Sequence, residues 1–322
     1  MSNVVGLVLP FFGLILLGFV TAKIARQKLD ALGWMNTFII YLALPALFFN
    51  LLSKTPVEEL TQWRFVAGTT FGTYTVFSLM FVIAVLRSRG DVAESTVKGL
   101  AAAYGNIGYM GPGLALLAFG EQAVVPVALV FCFDNTLHFV MAPLMMALSG
   151  RDASHQTPVQ LALGVVKRVV LHPFILATIV GVSAAALHFR PPAPAQTLLN
   201  YLANAAAPCA LFAMGVTLAL RPVRRVPSDM IFIVAIKLAV HPVAVYLLLS
   251  WLGNFPPVWV YSGVLLAALP TATNVFVIAQ QYGVWVERAS ASVLITTTAS
   301  VLSVTALLYA MTNGLLPPDL FP

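Results

Sequence analysis

Gly105–Leu117 reads GNIGYMGPGLALL and lies in the middle of an apolar segment. Asn106, several glycines and a proline therefore fall where a membrane-spanning helix would be at its most buried. Gly111-Pro112-Gly113 opposes a regular helix, because proline lacks the N–H and crowds the preceding turn while glycine adds backbone freedom. In hydrocarbon, freed backbone groups survive only where protein or a wet cavity satisfies them. A second apolar stretch, Gly263–Gly283 (GVLLAALPTATNVFVIAQQYG), is interrupted at Pro270-Thr271-Ala272-Thr273-Asn274. Each break predicts a helix interrupted at mid-membrane depth, and hence a polar site there.

The surroundings support that reading. The chain has 322 residues, 60% of them hydrophobic and 9% charged, with a mean hydropathy of +0.93. Soluble domains carry roughly 25% charged residues, so the composition predicts an all-α polytopic membrane protein. A formal charge of +6 would suit nucleic acid if it were clustered, but it is spread over short loops, which is a topology signal. Cys132 and Cys209 both lie in apolar stretches, with no disulfide framework and no metal-type spacing. Val4–Ala22 is too long for a signal-peptide core and lacks a basic leader. It reads as a retained first span.

A helix needs about 20 mostly apolar residues to cross a bilayer core. Ten stretches qualify: 4–22, 32–52, 65–86, 99–119, 123–148, 169–189, 196–220, 230–252, 258–281 and 289–312. Basic residues cluster after the odd-numbered segments: Lys23, Arg26 and Lys28; Arg87, Arg89 and Lys98; Arg151, Lys167 and Arg168; Arg221, Arg224 and Arg225; and Arg288. The opposite side holds Lys54, Arg64 and Arg190, and Lys237 lies inside a segment. Thirteen against three predicts cytoplasmic odd loops and both termini outside.

Five spans followed by five more give halves of opposite orientation, at 1–150 and 151–322. Three echoes in common order mark these halves as an inverted repeat. Pro10-Phe11 with Gly18 matches Pro173-Phe174 with Gly181, and Pro45-Ala46-Leu47-Phe48 matches Pro208-Cys209-Ala210-Leu211-Phe212 with one residue inserted. The interrupted fourth and ninth segments end in Phe119-Gly120 and Tyr282-Gly283. Broken helices at corresponding positions of two halves point to a secondary transporter.

The half-helices beginning near Pro112 and Pro270 would point their N-termini at mid-membrane, where free N–H groups and the helix dipole favour an anion. Proline suits a first turn, since its missing donor is not needed there. Asn106, Thr271, Thr273 and Asn274 offer hydrogen bonds to a carboxylate, or else serve only the broken backbone; Gly111, Pro112 and Gly113 would shape the break. Intramembrane charges are expensive and usually functional. Asp134 and Lys237 are the two here, and either they form a buried pair or Asp134 takes a coupling proton or cation while Lys237 balances the substrate. His138 follows Asp134 by four residues and His241 follows Lys237 by four, so each shares a helical face with its neighbour. Asp134–His138 reads as a proton relay or a plain polar pair. Asn274, Gln280, Gln281 and Thr296-Thr297-Thr298 offer neutral oxygens, but they assemble no sodium site from sequence.

The set Leu44-Pro45-Ala46-Leu47-Phe48, Gly105-Asn106, Met110-Gly111, Lys237-Leu238-Ala239-Val240-His241-Pro242 and Ala268-Leu269-Pro270-Thr271-Ala272-Thr273-Asn274 resembles the auxin efflux carrier family, whose bacterial members include malate and malonate permeases. The likeness spans nearly the whole chain, without the long central loop of the plant carriers. It implies two inverted five-helix repeats whose fourth and ninth helices cross at their prolines. It also implies a scaffold of helices one, two, six and seven and a moving unit of the others. Asn106 matches the family's carboxylate-holding asparagine, and by fold analogy Pro45, Asn204 and Pro208 of the scaffold would face the substrate. A scaffold-mediated homodimer in a bacterial inner membrane is implied likewise. One departure stands out: the family's M-G-x-P-L is here Met110-Gly111-Pro112-Gly113-Leu114, with proline one residue early.

The expectation is a carrier of small organic anions such as malonate, malate or auxin-like acids, working by alternating access without a cofactor, a metal or nucleic acid. Its coupling ion would be a proton or sodium. The competing reading within the same superfold is a sodium- or proton-coupled transporter of another substrate class. An intramembrane enzyme is the remote competitor, and the chain has no H-E-x-x-H, G-x-S-x-G, P-loop or paired catalytic aspartates.

Overall fold

The computed structural model describes residues 2–26, 32–56, 61–150, 158–220, 226 and 229–320. Expectations placed on Lys28, Arg151, Arg221, Arg224 and Arg225 lie outside the described residues. Helices make up most of the described residues. In chain order they are α1 (Ser2–Ala25), α2 (Leu32–Leu52), α3 (Trp63–Arg87), α4 (Val92–Ala103), α5 (Ile107–Phe119), α6 (Val124–Leu148), α7 (Pro158–Val170), α8 (Pro173–Ala186), α9 (Ala193–Leu220), α10 (Met230–Leu252), α11 (Pro257–Ala268), α12 (Thr273–Tyr282) and α13 (Val286–Thr312). Among the described residues the one β-type pairing is an isolated bridge between Gly105 and Thr271.

Among the described residues six stretches are long and apolar enough to cross a membrane: Leu32–Leu52, Trp63–Arg87, Ile107–Asp134, Ala193–Leu220, Met230–Leu252 and Val286–Thr312. Shorter apolar helices lie at Leu9–Ala25, Ile175–Ala186 and Pro257–Ala268. Large apolar side chains stand open on their outer faces, such as Leu86 at 77% and Leu302 at 78% exposure. Such surface is costly in water and costs nothing against lipid.

The chain forms two compact units. The first comprises Met1–Trp63, Gly108–Cys132 and Val170–Arg221, and the second comprises Arg64–Ile107, Phe133–Val169 and Pro222–Pro322. Close backbone contact organises the first unit. A Cβ at Gly18 would collide with the Phe212 carbonyl, and one at Gly215 with the Ile15 carbonyl. Small residues thus let α1 and α9 touch backbone to backbone, the usual packing device where lipid supplies no hydrophobic drive. Gly181 does the same for α8 against α2, where its Cβ would meet Leu52 Cβ at 3.1 Å and Phe49 Cα at 3.4 Å. Asn50 Nδ2 donates to Asn200 Oδ1 (3.1 Å) and Gln196 Nε2 donates to Asn50 Oδ1 (2.9 Å), a polar clip between α2 and α9.

Two helices carry a widened turn directly before a proline. In α2 the Leu44 N–H reaches back five residues to Ile39 C=O, ahead of Pro45; in α10 the His241 N–H reaches back to Ile236 C=O, ahead of Pro242. Proline can neither donate to the carbonyl four residues earlier nor pack against it, and a π turn absorbs the mismatch. In α10 the widened turn carries Lys237. The second unit packs α3, α4, α6, α10 and α12 around Val76, Met80, Val97, Leu100, Met146, Ile233 and Val275.

Candidate functional site

The second unit contains both interrupted segments at their break points. α4 stops at Ala103, and Tyr104 turns extended (φ −76°, ψ 99°). α11 stops at Ala268, and Leu269 is extended (φ −62°, ψ 148°), as the residue before a proline is driven to be. The two short extended runs lie antiparallel. Asn106 N–H donates to Pro270 C=O and Ala272 N–H to Tyr104 C=O, each at 2.8 Å. Thr271 N–H donates to Thr296 Oγ1 (3.1 Å), and Thr271 Oγ1 donates to Ala101 C=O (2.6 Å). Each break therefore satisfies the other, as an unwound backbone requires at membrane depth.

On the fourth segment this corrects the expected break. The chain unwinds at 104–106, and α5 continues through Pro112, six residues into the helix. Pro112 forgoes one bond, to the carbonyl of Gly108. That local cost does not decide where the helix ends; the pairing with Thr271 does. On the ninth segment Pro270 lies in the extended run, and α12 starts three residues later at Thr273 with no side-chain cap on Ala272.

The crossing is tight at Gly105. A Cβ there would lie 3.1 Å from Leu266 C=O and 3.4 Å from Lys237 Nζ. The Lys237 side chain, fully buried, reaches up to the bridge and donates to Ala267 C=O (2.6 Å). It also meets His241 Nδ1 (2.9 Å). His241 Nε2 lies 3.0 Å from Thr73 Oγ1, and Thr73 Oγ1 donates to Asp134 Oδ2 (2.8 Å). Among the described residues Asp134 and Lys237 form no direct ion pair; Thr73 and His241 join them. His138 bonds the Asp134 carbonyl through Nδ1 (2.6 Å) rather than its carboxylate, and its ring stacks on Tyr104 (centroids 4.0 Å apart, 9° between planes). Tyr104 in turn accepts from Asn274 Nδ2 (3.0 Å).

The sequence-predicted residues thus divide. Asn106, Pro270, Thr271, Thr273 and Asn274 gather at the bridge, where Asn106, Pro270 and Thr271 are buried while Thr273 and Asn274 are half-buried. The Thr271 hydroxyl is taken up by Ala101. Asp134, Lys237 and His241 share one chain, with His138 beside it. In the first unit, Gly111 and Pro112 are buried within α5, and a Cβ at Gly113 would lie 2.8 Å from Ala207 Cβ. There too, Pro45 follows the π turn of α2, and Asn204 and Pro208 are exposed on α9. Thr296, Thr297 and Thr298 each donate to the carbonyl four residues back, so their protons serve their own helix.

Sequence reasoning missed Thr73, Tyr104 and the Lys237–Ala267 bond. It also missed a second ionic cluster, where Asp229 accepts from Arg87 Nε and Lys98 Nζ, both at 2.6 Å. Lys98 also pairs with Glu94 (2.7 Å), and Asp91 caps α4 at the Glu94 N–H. Burial would raise the Asp229 carboxyl, but the hydrogen bonds and charges of Lys98 and Arg87 prevail and hold it below the usual carboxylate range. These residues line a polar cleft of about 480 Å³ together with Ser88 and Arg288.

A model of the membrane transport protein family matches residues 3–308. The chain belongs to that family. This membrane transport protein is 61% identical over 322 residues, the whole of both chains, to a protein of Rhizobium meliloti (strain 1021) named "Putative malonate transporter". It is 25% identical over 301 residues, 92% of this chain and 94% of the other, to an "Uncharacterized transporter" of Methanothermobacter thermautotrophicus. Family membership and the apolar helices together make it a multi-pass membrane transporter.

Proposed function

We propose that this protein carries small dicarboxylates, malonate first among them, across the bilayer by alternating access. The carboxylate binds at the paired breaks of the second unit. The observation that carries this reading is the Gly105–Thr271 bridge with Lys237 Nζ packed against it. Beside the bridge, α12 starts without a side-chain cap; Val275 N–H donates to Ala272 C=O, which leaves the N–H groups of Thr273 and Asn274 to meet an anion. Asn106, Thr273 and Asn274 supply further donors, and Lys237 supplies the counter-charge. The name of the Rhizobium meliloti relative supports malonate over monocarboxylates.

The proposal extends to the whole chain. Ten spans arranged as inverted repeats at 1–150 and 151–322 account for the matched sequence echoes. The reciprocal packing of Gly18 on α9 and Gly181 on α2 supports the same symmetry. Gly111, Pro112 and Gly113 shape α5, and Pro45, Asn204 and Pro208 are scaffold residues that meet substrate during the cycle. Residence in an inner membrane with both termini outside, and a homodimer built on the scaffold, complete the picture. Asp134 is the group that would take a coupling proton; sodium finds no carboxylate on α12.

Equilibrium dialysis of labelled malonate against detergent-purified protein tests the site. Asn106→Ala should abolish binding while the protein stays folded, and unchanged affinity would remove Asn106 from the site.

A further inference from the structure

The chain from Lys237 to Asp134 has a property that neither end has alone. Its four members are buried and joined in series: Nζ of Lys237 to Nδ1 of His241, Nε2 of His241 to Oγ1 of Thr73, and Oγ1 of Thr73 to Oδ2 of Asp134. Each inner member, an imidazole or a hydroxyl, is at once donor and acceptor. The same heavy atoms therefore support two proton arrangements. In one, Lys237 is an ammonium donating to Nδ1, Nε2–H donates to Thr73, and the Thr73 hydroxyl donates to an ionised Asp134. In the other, every bond is reversed. Asp134 is a carboxylic acid donating to Thr73, Thr73 donates to Nε2, and Nδ1–H donates to a neutral Lys237 amine.

We propose that Thr73 and His241 relay one proton between Lys237 and Asp134, and that substrate at the crossing sets its position. In the step, an N–H bond breaks at Lys237 and one forms at Nδ1. The Nε2–H bond breaks as an O–H bond forms at Thr73, whose own proton passes to Asp134 Oδ2. This step itself neither adds nor removes a proton, so a coupling proton that Asp134 takes from the bulk enters at another point of the cycle; in the relay a charge pair becomes a neutral pair, or the reverse.

Two observations fix the direction. Asp134 Oδ1 is buried and has no hydrogen-bond partner among the described residues. An ionised carboxylate with one bare oxygen is costly in such a place, whereas the carbonyl oxygen of a neutral acid is far less so. The bare Oδ1 thus favours the neutral pair. The other end of the chain touches the crossing, where Lys237 Nζ sits against Gly105 and bonds Ala267 C=O. A substrate carboxylate there stabilises the ammonium and draws the proton back from Asp134. The ionisable groups that face the chain from the neighbouring elements are His138 on α6 and Tyr104 at the end of α4, stacked on each other. Neither interrupts the series.

This inference rests on the crossing as the carboxylate site, and the test separates the two. Infrared difference spectra are recorded as 13C-malonate is added to the purified protein, with binding measured by dialysis on the same samples. The expected result is loss of one carboxylic-acid carbonyl band per malonate bound, with that band missing in Asp134→Asn. Thr73→Val should bind malonate at least tenfold more weakly and show no band change, while Thr73→Ser should restore both. Malonate binding by the wild type with no loss of the band would overturn the relay alone. So would an unchanged band loss in Thr73→Val. Failure of folded wild type to bind malonate, malate or indole acetate would overturn the anion site and the relay with it.

Discussion

Lys237 and Gly105 are fitted to each other: Nζ approaches so closely that a methyl on Gly105 would lie 3.4 Å from it and 3.1 Å from Leu266 C=O. Both contacts are tighter than, or at the edge of, ordinary van der Waals packing, and one neighbour is backbone. Gly105→Ala must therefore push the two broken runs apart or displace Lys237. It should lower malonate uptake at least tenfold in protein that still elutes as a folded species. Wild-type uptake by Gly105→Ala would show that the crossing has slack.

Lys237 has two partners that its removal would leave unpaired, Ala267 C=O and His241 Nδ1. An orphaned buried polar group costs about 1–3 kcal/mol. Lys237→Met should lower the thermal midpoint in detergent and abolish malonate binding. A variant with lowered stability and normal affinity would make Lys237 structural only.

In the first unit, Gly215→Ala drives a methyl into the Ile15 carbonyl. Overpacking of this kind costs about 1–3 kcal/mol, and the contact is between backbones, so relief requires α1 to move. Thermal unfolding in detergent should show the loss, whereas a change at Gly33, with open space around its Cα, should not.

Asp229 gives a pH-dependent contribution whose sign follows from its partners. Its folded carboxyl titrates below the unfolded value, which lies near ~3.9. The stabilisation is therefore fully present above that value and is lost as pH falls below it. Asp229→Asn should lower the midpoint at pH 7 and flatten the acid limb of a stability-versus-pH curve. An equal acid limb in wild type and variant would assign that limb to other carboxylates.

These residues also show what the sequence made legible. Pro270 marked its break to within three residues, because proline forces its predecessor out of the helix and removes a donor, both local effects. Pro112 was misleading for the same reason. Its local cost is one backbone bond near the start of α5, while the true interruption at 104–106 depends on a partner run at Thr271, far away in the chain. The ionisable members of the buried chain stood out as charges in apolar segments. Thr73 did not, since one threonine on an apolar helix carries no sign of the carboxylate and imidazole it joins. The Asp229 cluster was hidden likewise, its basic members looking like ordinary loop charges.

Asp134→Asn should abolish any dependence of uptake on an imposed proton gradient. Uptake by this variant that still follows the gradient would assign the coupling proton elsewhere.

Uptake of labelled malonate into sealed proteoliposomes tests the central claim most directly. The account predicts saturable uptake that unlabelled malate inhibits and that is lost with Asn106→Ala. Folded, reconstituted protein that moves neither malonate, malate nor indole acetate would contradict it.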